Sequence, residues 1–228
     1  MAESLQQQYD FETDHVLVLK SFKEMRINRE LCDLTLIVGE KQFYTHKVIL
    51  AAHSTYFKIM FTSSLQENTR NEIILKGVDP VAVETLLKYM YEWTLIITEE
   101  NAISVLALAA QWQMDEIVQL CGKFIIDYGL TVCNCIQMIT FADVHGCSVL
   151  EKVARVWCIK NFADICQTSA FVDTSAEVLT DLLKSEFLKI QSEEKLMEDI
   201  LKWFRHKPDT RRGDVEKMLQ LTRYPLIP

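Results

Sequence analysis

Glycine and proline are scarce in this sequence, with six and four residues among 228. This scarcity favours helices joined by short connections over a loop-rich fold. No apolar run approaches the roughly 20 residues that a membrane-spanning helix needs. The first residues, MAESLQQQ, also lack the basic and then apolar layout of a secretory signal. We therefore expect no membrane partner and a location in the cytosol or the nucleus.

Clustered positive charge is also missing. Arg211 and Arg212 form the longest basic group, and the net charge is −8. Because nucleic-acid binding relies on clustered lysine and arginine, we expect no nucleic-acid partner. The seven cysteines are odd in number and scattered through apolar runs, a pattern that is typical of free thiols in a reducing compartment.

Motifs for catalysis or cofactor binding are absent: there is no glycine-rich phosphate loop, GxSxG, HExxH or CxxC. A metal is suggested only by Cys133, Cys135, His145 and Cys147. A spacing of two residues along a helix directs side chains about 200° apart, so only Cys135 and either His145 or Cys147 could meet. We expect buried thiols, with zinc as the less favoured reading, no cofactor and no enzymatic activity.

Among the features that are present, residues 11 to 28 predict an amphipathic helix with a conspicuous run, Val16 to Leu19. Four consecutive apolar residues cover most of a helical turn and cannot all face one core. A second surface must therefore cover this helix. Either a second copy of the chain packs there, or the helix is wedged deep in its own domain.

Short strands are predicted at residues 31–38, 42–45, 72–76 and 93–97. Asp33 falls in the first strand, and Lys47 opens the following helix. Because a charge inside an apolar strand is costly without a partner, we expect Asp33 to contact Lys47, either across the core or at a subunit interface. A solvated strand face is the alternative.

Helices are predicted between these strands, with Ser54 and Asp79 as caps and Pro80 at a first helical position. His46 and His53 are expected to be packed or hydrogen-bonded helix residues. The tripeptide Leu65-Gln66-Glu67 places an apolar residue beside an acid, which suits the binding of a partner, although Leu65 could equally belong to the core.

The second half reads as helices alone, at residues 131–145, 148–165, 175–184, 192–207 and from 209 or 213 to 223. Short turns between them indicate an antiparallel bundle. We therefore predict an α+β domain over residues 1–128, a small sheet flanked by helices, followed by an all-α domain over residues 129–228.

Residues from about 10 to 127 resemble a BTB (POZ) domain through the segments LCDLTLIV, HKVILAA, YFKIMF and AAQWQM. From about residue 128 onward the chain resembles a BACK domain through NCIQMITFAD, LLKSEFLKIQSEE and RYPLIP. This is the order seen in BTB-BACK-kelch proteins, the kelch-like family, which are substrate adaptors of cullin-3 ubiquitin ligases.

The resemblance implies two binding surfaces. A homodimer would form through the amino-terminal helix and the region of Asp33 and Lys47, with these residues at the interface: Val18, Leu19, Phe22, Met25, Asp33 and Lys47. The amino-terminal domain of cullin-3 would lie against Leu65, Glu67, Leu75, Asp79 and Trp93, with the first BACK helices extending the groove. The family usually has glycine at the position of Trp93, so the turn there must hold a bulky residue.

The resemblance also implies a function. The chain would be a non-catalytic adaptor, and protein substrates would bind a kelch propeller that these residues do not contain. The sequence is compatible with part of a longer protein and with a natural short form. The alternative function is a dimeric BTB scaffold, of transcriptional or competitor type, that does not deliver substrates to a ligase.

Overall fold

The computed structural model describes residues 14–63 and 71–222, with side chains from residue 17 onward. The chain divides into two compact units, Met1–Met114 and Asp115–Pro228. Within the described residues, the first unit combines a small sheet with helices and the second contains helices only. The predicted succession of an α+β half and an all-α half is therefore confirmed.

The first unit begins with a helix that is followed by a β-hairpin. In chain order its elements are α1 (Asp14–Asn28), β1 (Leu34–Val38), β2 (Lys41–Thr45), α2 (Lys47–His53), α3 (Thr55–Thr62), β3 (Glu72–Ile74), α4 (Pro80–Glu92) and α5 (Ala102–Gln111). Asp33 therefore precedes the first strand instead of lying inside it.

The sheet has the order β2-β1-β3, with β1 in the centre. β1 and β2 form an antiparallel hairpin, and Gly39 in its turn has a φ of 57°, a conformation that favours glycine. β3 pairs in parallel with β1. Alternate residues of β1, at positions 34, 36 and 38, are buried, so one face of the sheet covers the core.

α4 is the central helix of this core. As predicted, Pro80 is its first residue and the Asp79 carboxylate accepts a hydrogen bond from the Val81 N–H at 2.8 Å. Its fully buried apolar side chains are Val83, Leu86, Leu87 and Met90. Burying these apolar side chains stabilises the packing of α4 against its neighbouring helices α1, α2 and α5.

The predicted strand at residues 93–97 was wrong, because residues 94–98 pair with no strand in the described part of the chain. Thr98 does cap the turn that follows. Its Oγ1 accepts the Asn101 N–H at 3.3 Å, and Asn101 Oδ1 accepts the Thr98 N–H at 2.8 Å. The regular helix α5 therefore begins at Ala102, after these two reciprocal hydrogen bonds. Ile103, in the first turn of that helix, is 44% exposed.

The second unit consists of helices in the described residues. They are α6 (Asp115–Phe124), a π-helical turn (Ile125–Gly129), α7 (Cys135–Val144), α8 (Ser148–Lys160), α9 (Phe162–Ile165), α10 (Ser169–Val172), α11 (Ala176–Leu183), α12 (Glu193–His206) and α13 (Pro208–Gln220). The predicted helix at 148–165 is interrupted at Asn161, and the serines at 175 and 192 cap α11 and α12 as their positions suggested.

Trp203 of α12 organises the carboxyl-terminal helices. The ring is fully buried, and its Nε1 donates a hydrogen bond to the Thr174 carbonyl at 2.8 Å. The Arg211 guanidinium of α13 lies 4.0 Å from the Trp203 ring centroid and donates to the Trp203 carbonyl. One aromatic side chain therefore links α12 and α13 to the loop that leads into α11.

Candidate partner-binding surfaces

α1 exposes apolar side chains along part of its length. Leu17 is 59% exposed and Val18 is 54% exposed, while Leu19, Phe22 and Met25 are half-buried. The side chain of Val16 lies outside the described residues. The run of consecutive apolar residues thus leaves two large side chains without cover from the described residues of this chain, as helical geometry requires.

The opposite side of α1 is attached to the first unit by polar contacts. Lys23 forms an ion pair with Glu92 at 3.0 Å, and Arg26 lies 3.7 Å from the Glu84 carboxylate. Arg26 Nε also donates to the Tyr44 carbonyl at 3.2 Å. Each exposed ion pair contributes little stability, but together these contacts fix which face of α1 points outward.

A buried histidine holds the segment between α1 and β1. His46 is 4% exposed, and its Nε2 lies 3.0 Å from the Glu30 carbonyl, which can only accept. Nε2 therefore carries the proton, and Nδ1 accepts from the Tyr91 hydroxyl at 2.9 Å. Burial raises the pKa of Tyr91 to about 12. His46 is hydrogen-bonded as we expected, although it precedes α2.

Asp33 contacts Lys47, as the sequence suggested, but through the main chain. Asp33 Oδ1 accepts a hydrogen bond from the backbone N–H of Lys47 at 2.7 Å. The carboxylate thus binds an N–H group at the first residue of α2, where the helix dipole favours negative charge. The Lys47 ammonium lies 5.7 Å from the centroid of the Phe61 ring. The hydrogen bond from the Lys47 backbone N–H therefore accounts for the presence of a charged residue at position 33.

Three of the five residues predicted to bind cullin-3 lie in the part of the chain that the structure describes. Leu65 and Glu67 lie outside the described residues. Leu75 is 8% exposed and therefore belongs mainly to the core. Asp79 and Trp93 lie at opposite ends of α4, and a rise of 1.5 Å per residue separates them by about 21 Å.

Trp93 ends α4 in a left-handed conformation, with φ 53° and ψ 25°. Most helices that end this way use glycine at that position, because a Cβ atom is disfavoured there. The turn thus holds a bulky residue, as we expected, but in a conformation that usually favours glycine. The ring is 61% exposed and packs edge-on against His53 at 5.3 Å and near Tyr89 at 6.0 Å between centroids.

A groove lies between α1 and the end of α4, and we call it the α1 groove. Its volume is about 660 Å³. It is lined by Leu19, Lys20, Lys23, Tyr91, Glu92, Trp93 and Thr94. Trp93 is thus a neighbour of the predicted dimer helix. The apolar character of Leu19 indicated that this residue would contact another surface. It did not indicate that the surface would be the one around Trp93.

Family models match both units of the chain. The BTB/POZ domain matches residues 22–128, and the "BTB And C-terminal Kelch" domain, BACK, matches residues 135–228. The chain is a BTB-BACK protein. The boundary that we placed between residues 128 and 129 stays a prediction, because the BTB match ends at residue 128 whereas the compact units divide between Met114 and Asp115.

Curated relatives of this BTB-BACK protein include kelch-like proteins. Human kelch-like protein 5 is 33% identical over 211 residues, covering 91% of this chain and 28% of the relative. Human kelch-like protein 6 is 33% identical over 212 residues, covering 93% and 34%. Mouse kelch-like protein 17 is 32% identical over 207 residues, covering 91% and 32%. The chain spans about a third of the length of these relatives.

In the second compact unit, four of the cysteines are arranged in two pairs that the sequence did not predict. Cys135 lies beside Cys158, whose hydrogen bond lowers the pKa of Cys135 and raises that of Cys158. Cys147 Sγ donates to the Val118 carbonyl at 3.6 Å instead of meeting Cys135. Burial raises the pKa of Cys121, its neighbour, to about 12. These thiols are packed in the interior.

The described residues provide neither a metal site nor a membrane helix. Within residues 14–63 and 71–222, no three His, Cys, Asp or Glu side chains are grouped so that they could hold a metal ion. None of the helices in those ranges combines the length and apolar character that crossing a bilayer requires.

Proposed function

We propose that this BTB-BACK protein is a non-catalytic, homodimeric adaptor that brings protein substrates to a cullin-3 ubiquitin ligase. The similarity to kelch-like proteins supports the adaptor role. Substrates would bind a module outside these 228 residues. The adaptor makes and breaks no covalent bond, and its contribution is to raise the concentration of substrate near the ligase.

The observation that carries the proposal is the exposed apolar face of α1. Leu17 and Val18 are each more than half exposed, while the Lys23 and Arg26 side chains fix the other side of the helix to α4. A second copy related by a two-fold axis would present the same face, so the two helices could cover each other. Leu19, Phe22 and Met25 would extend this contact, and Asp33 and Lys47 would lie at its edge.

Light scattering tests self-association. The unmodified chain should show twice the chain mass at micromolar concentration. Val18→Asp should give the mass of one chain, because it would bury a carboxylate between two apolar helices. Asn28→Asp adds the same charge about 15 Å further along α1 and should leave the dimer intact. An unmodified chain that is monomeric at every concentration contradicts the proposal.

Calorimetric titration with the amino-terminal domain of cullin-3 tests the second surface. Leu65→Asp and Glu67→Ala should each weaken binding by about tenfold or more, since an apolar anchor and its orienting acid act together. Glu40→Ala, an exposed residue in the hairpin turn, is the control. Sub-micromolar binding that both variants leave unchanged would exclude the tripeptide. A dimer that does not bind cullin-3 would instead support the scaffold function.

Trp93 requires its own variant, because it was assigned to the cullin-3 surface but lines the α1 groove. Trp93→Gly removes the ring and supplies the residue best suited to the left-handed conformation. If Trp93 contacts cullin-3, this variant weakens the titration and leaves the dimer unchanged. If Trp93 contacts the second copy, Trp93→Gly raises the dissociation constant of the dimer. The dimer that remains binds cullin-3 as tightly as the unmodified dimer.

A further inference from the structure

A shallow depression lies beside β2, away from the α1 groove. Its volume is about 370 Å³, and we call it the β2 edge site; it is lined by Arg26, Ile27, Arg29, residues 41–44 and Glu84. Three of these residues are cationic, including Lys41, and one is an acid. This local excess of positive charge is notable in a chain whose net charge is −8.

Two of the three cations are available to a ligand. Arg26 is occupied by the Tyr44 carbonyl and by Glu84. Arg29 and Lys41 are exposed, and neither lies within 4.0 Å of a carboxylate among the described residues. The Arg29 guanidinium lies over the Tyr44 ring, 4.4 Å from its centroid. Stacking of this kind orients the guanidinium and leaves its N–H groups directed outward, where they suit a carboxylate.

The main chain of β2 also offers hydrogen-bonding groups at this site. The Thr35 N–H bonds to the Asn71 carbonyl at 2.8 Å, and the Ile37 carbonyl accepts the Leu75 N–H at 2.8 Å. Both β1 residues thus direct their polar groups toward β3. Their partners in β2, Tyr44 and Gln42, must therefore direct theirs toward the outer edge of the sheet.

One of these edge groups is already satisfied within the described residues, since the Tyr44 carbonyl accepts from Arg26 Nε. The Gln42 N–H, the Gln42 carbonyl and the Tyr44 N–H remain, spaced as an added strand requires. Ile27 borders them and is 67% exposed. The site thus combines a strand edge, two cations and one apolar contact.

We propose that the β2 edge site binds a short, extended, acidic segment of a partner protein. The segment adds to β2 as a fourth strand, bonds to Gln42 and Tyr44 through its main chain, and places carboxylates on Arg29 and Lys41. Charge complementarity selects an acidic occupant, since among the described lining residues Glu84 is the one acid beside three cations. This surface is separate from the residues assigned to self-association and to cullin-3 binding.

A phage-displayed library of random decapeptides provides the probe. The library is selected on the unmodified chain and depleted on the double variant Arg29→Glu and Lys41→Glu. Enriched sequences should carry at least two acidic residues, and the synthetic form of the most enriched peptide should bind in a fluorescence anisotropy titration. Affinity should fall as salt is raised, because the contacts are charged and exposed.

Single variants then test the residues. Arg29→Glu and Lys41→Glu should each weaken the peptide at least tenfold, while Lys58→Glu, the same charge reversal on an exposed residue of α3, should not. Hydrogen exchange at the Gln42 and Tyr44 amides should slow when the peptide binds. Failure to enrich acidic peptides, equal binding by the reversed variants, or unchanged exchange at both amides would each overturn the proposal. Val18→Asp should not affect peptide binding, so the test of the β2 edge site is independent of the proposed dimer.

Discussion

Gly122 of α6 has closely packed neighbours within the second compact unit, and replacing it with alanine should destabilise that unit. A Cβ atom built at Gly122 would lie 2.3 Å from Cys147 Sγ and 3.5 Å from Leu150 Cβ. Cys147 and Leu150 are fully buried. The sulfur therefore has no space to withdraw into unless the helices move apart.

Two effects of opposite sign determine how much Gly122→Ala changes the free energy of unfolding. Alanine is favoured over glycine inside a helix by about 1 kcal/mol. Overpacking a core by one carbon atom costs about 1–3 kcal/mol, and a contact more than 1 Å shorter than normal belongs to the upper part of that range. We therefore expect Gly122→Ala to lower the free energy of unfolding of the second compact unit by about 1–2 kcal/mol.

Gly213 of α13 is the matched control. It also lies inside a helix, but apart from adjacent residues and the backbone of its own helix, no described heavy atom lies within 4 Å of the Cβ that alanine would add. Gly213→Ala should therefore raise stability by about 1 kcal/mol. Urea denaturation followed by far-ultraviolet circular dichroism measures both variants. In the double variant Gly122→Ala and Cys147→Ala, the clash is removed and most of the lost stability should return.

The reasoning fails if Gly122→Ala and Gly213→Ala stabilise the chain equally. That result would mean that Cys147 Sγ has room to rotate away from α6. Calorimetry provides a second check, since a change of 1 kcal/mol moves the unfolding midpoint by about 2–4 °C for a chain of this size.

Three further outcomes are expected. Asp79→Ala should lower the stability of the BTB half by about 1 kcal/mol in urea denaturation, because α4 loses its cap. Trp203→Phe should destabilise the BACK half by about 1 kcal/mol, since the Thr174 carbonyl loses the indole donor and keeps only the longer bond of 3.3 Å from Arg211. Burial lowers the pKa of His53 below its ordinary value of 6.5, so the folded state disfavours its protonation and the BTB half should lose stability as the pH falls below about 6.5. His53→Gln should reduce this loss in thermal melts at pH 7.5 and pH 5.5, and an unchanged pH dependence would exclude this histidine as its source.

Local signals in the sequence accounted for most of the fold. Ser54 and Asp79 cap the helices that they were predicted to cap, and Ser175 and Ser192, the first residues of two predicted helices, also act as caps, because a cap depends on a few adjacent residues. The strand predicted at residues 93–97 is not formed, because a strand, unlike a cap, depends on residues that are distant in the chain. A strand exists only when another strand pairs with it, and β-propensity does not reveal whether a free edge is nearby.

The surfaces were less predictable than the fold. The run of apolar residues in α1 indicated that some side chains would be exposed, and Leu17 and Val18 are. It did not indicate that Trp93 would lie beside this helix, because that proximity depends on how α1 packs against the end of α4. The β2 edge site depends in the same way on Arg29 and Lys41, which are 12 positions apart in the chain.

The left-handed tryptophan at the end of α4 also provides an optical probe. Trp112 and Trp203 are fully buried and Trp157 is half-buried, whereas Trp93 is 61% exposed. Excitation at the red edge of the absorption band favours the indole in the most polar surroundings, so emission collected there from a Trp157→Phe variant reports mainly on Trp93. A blue shift of that emission with rising protein concentration, lost in Val18→Asp, would show directly that a second molecule shields this ring from water.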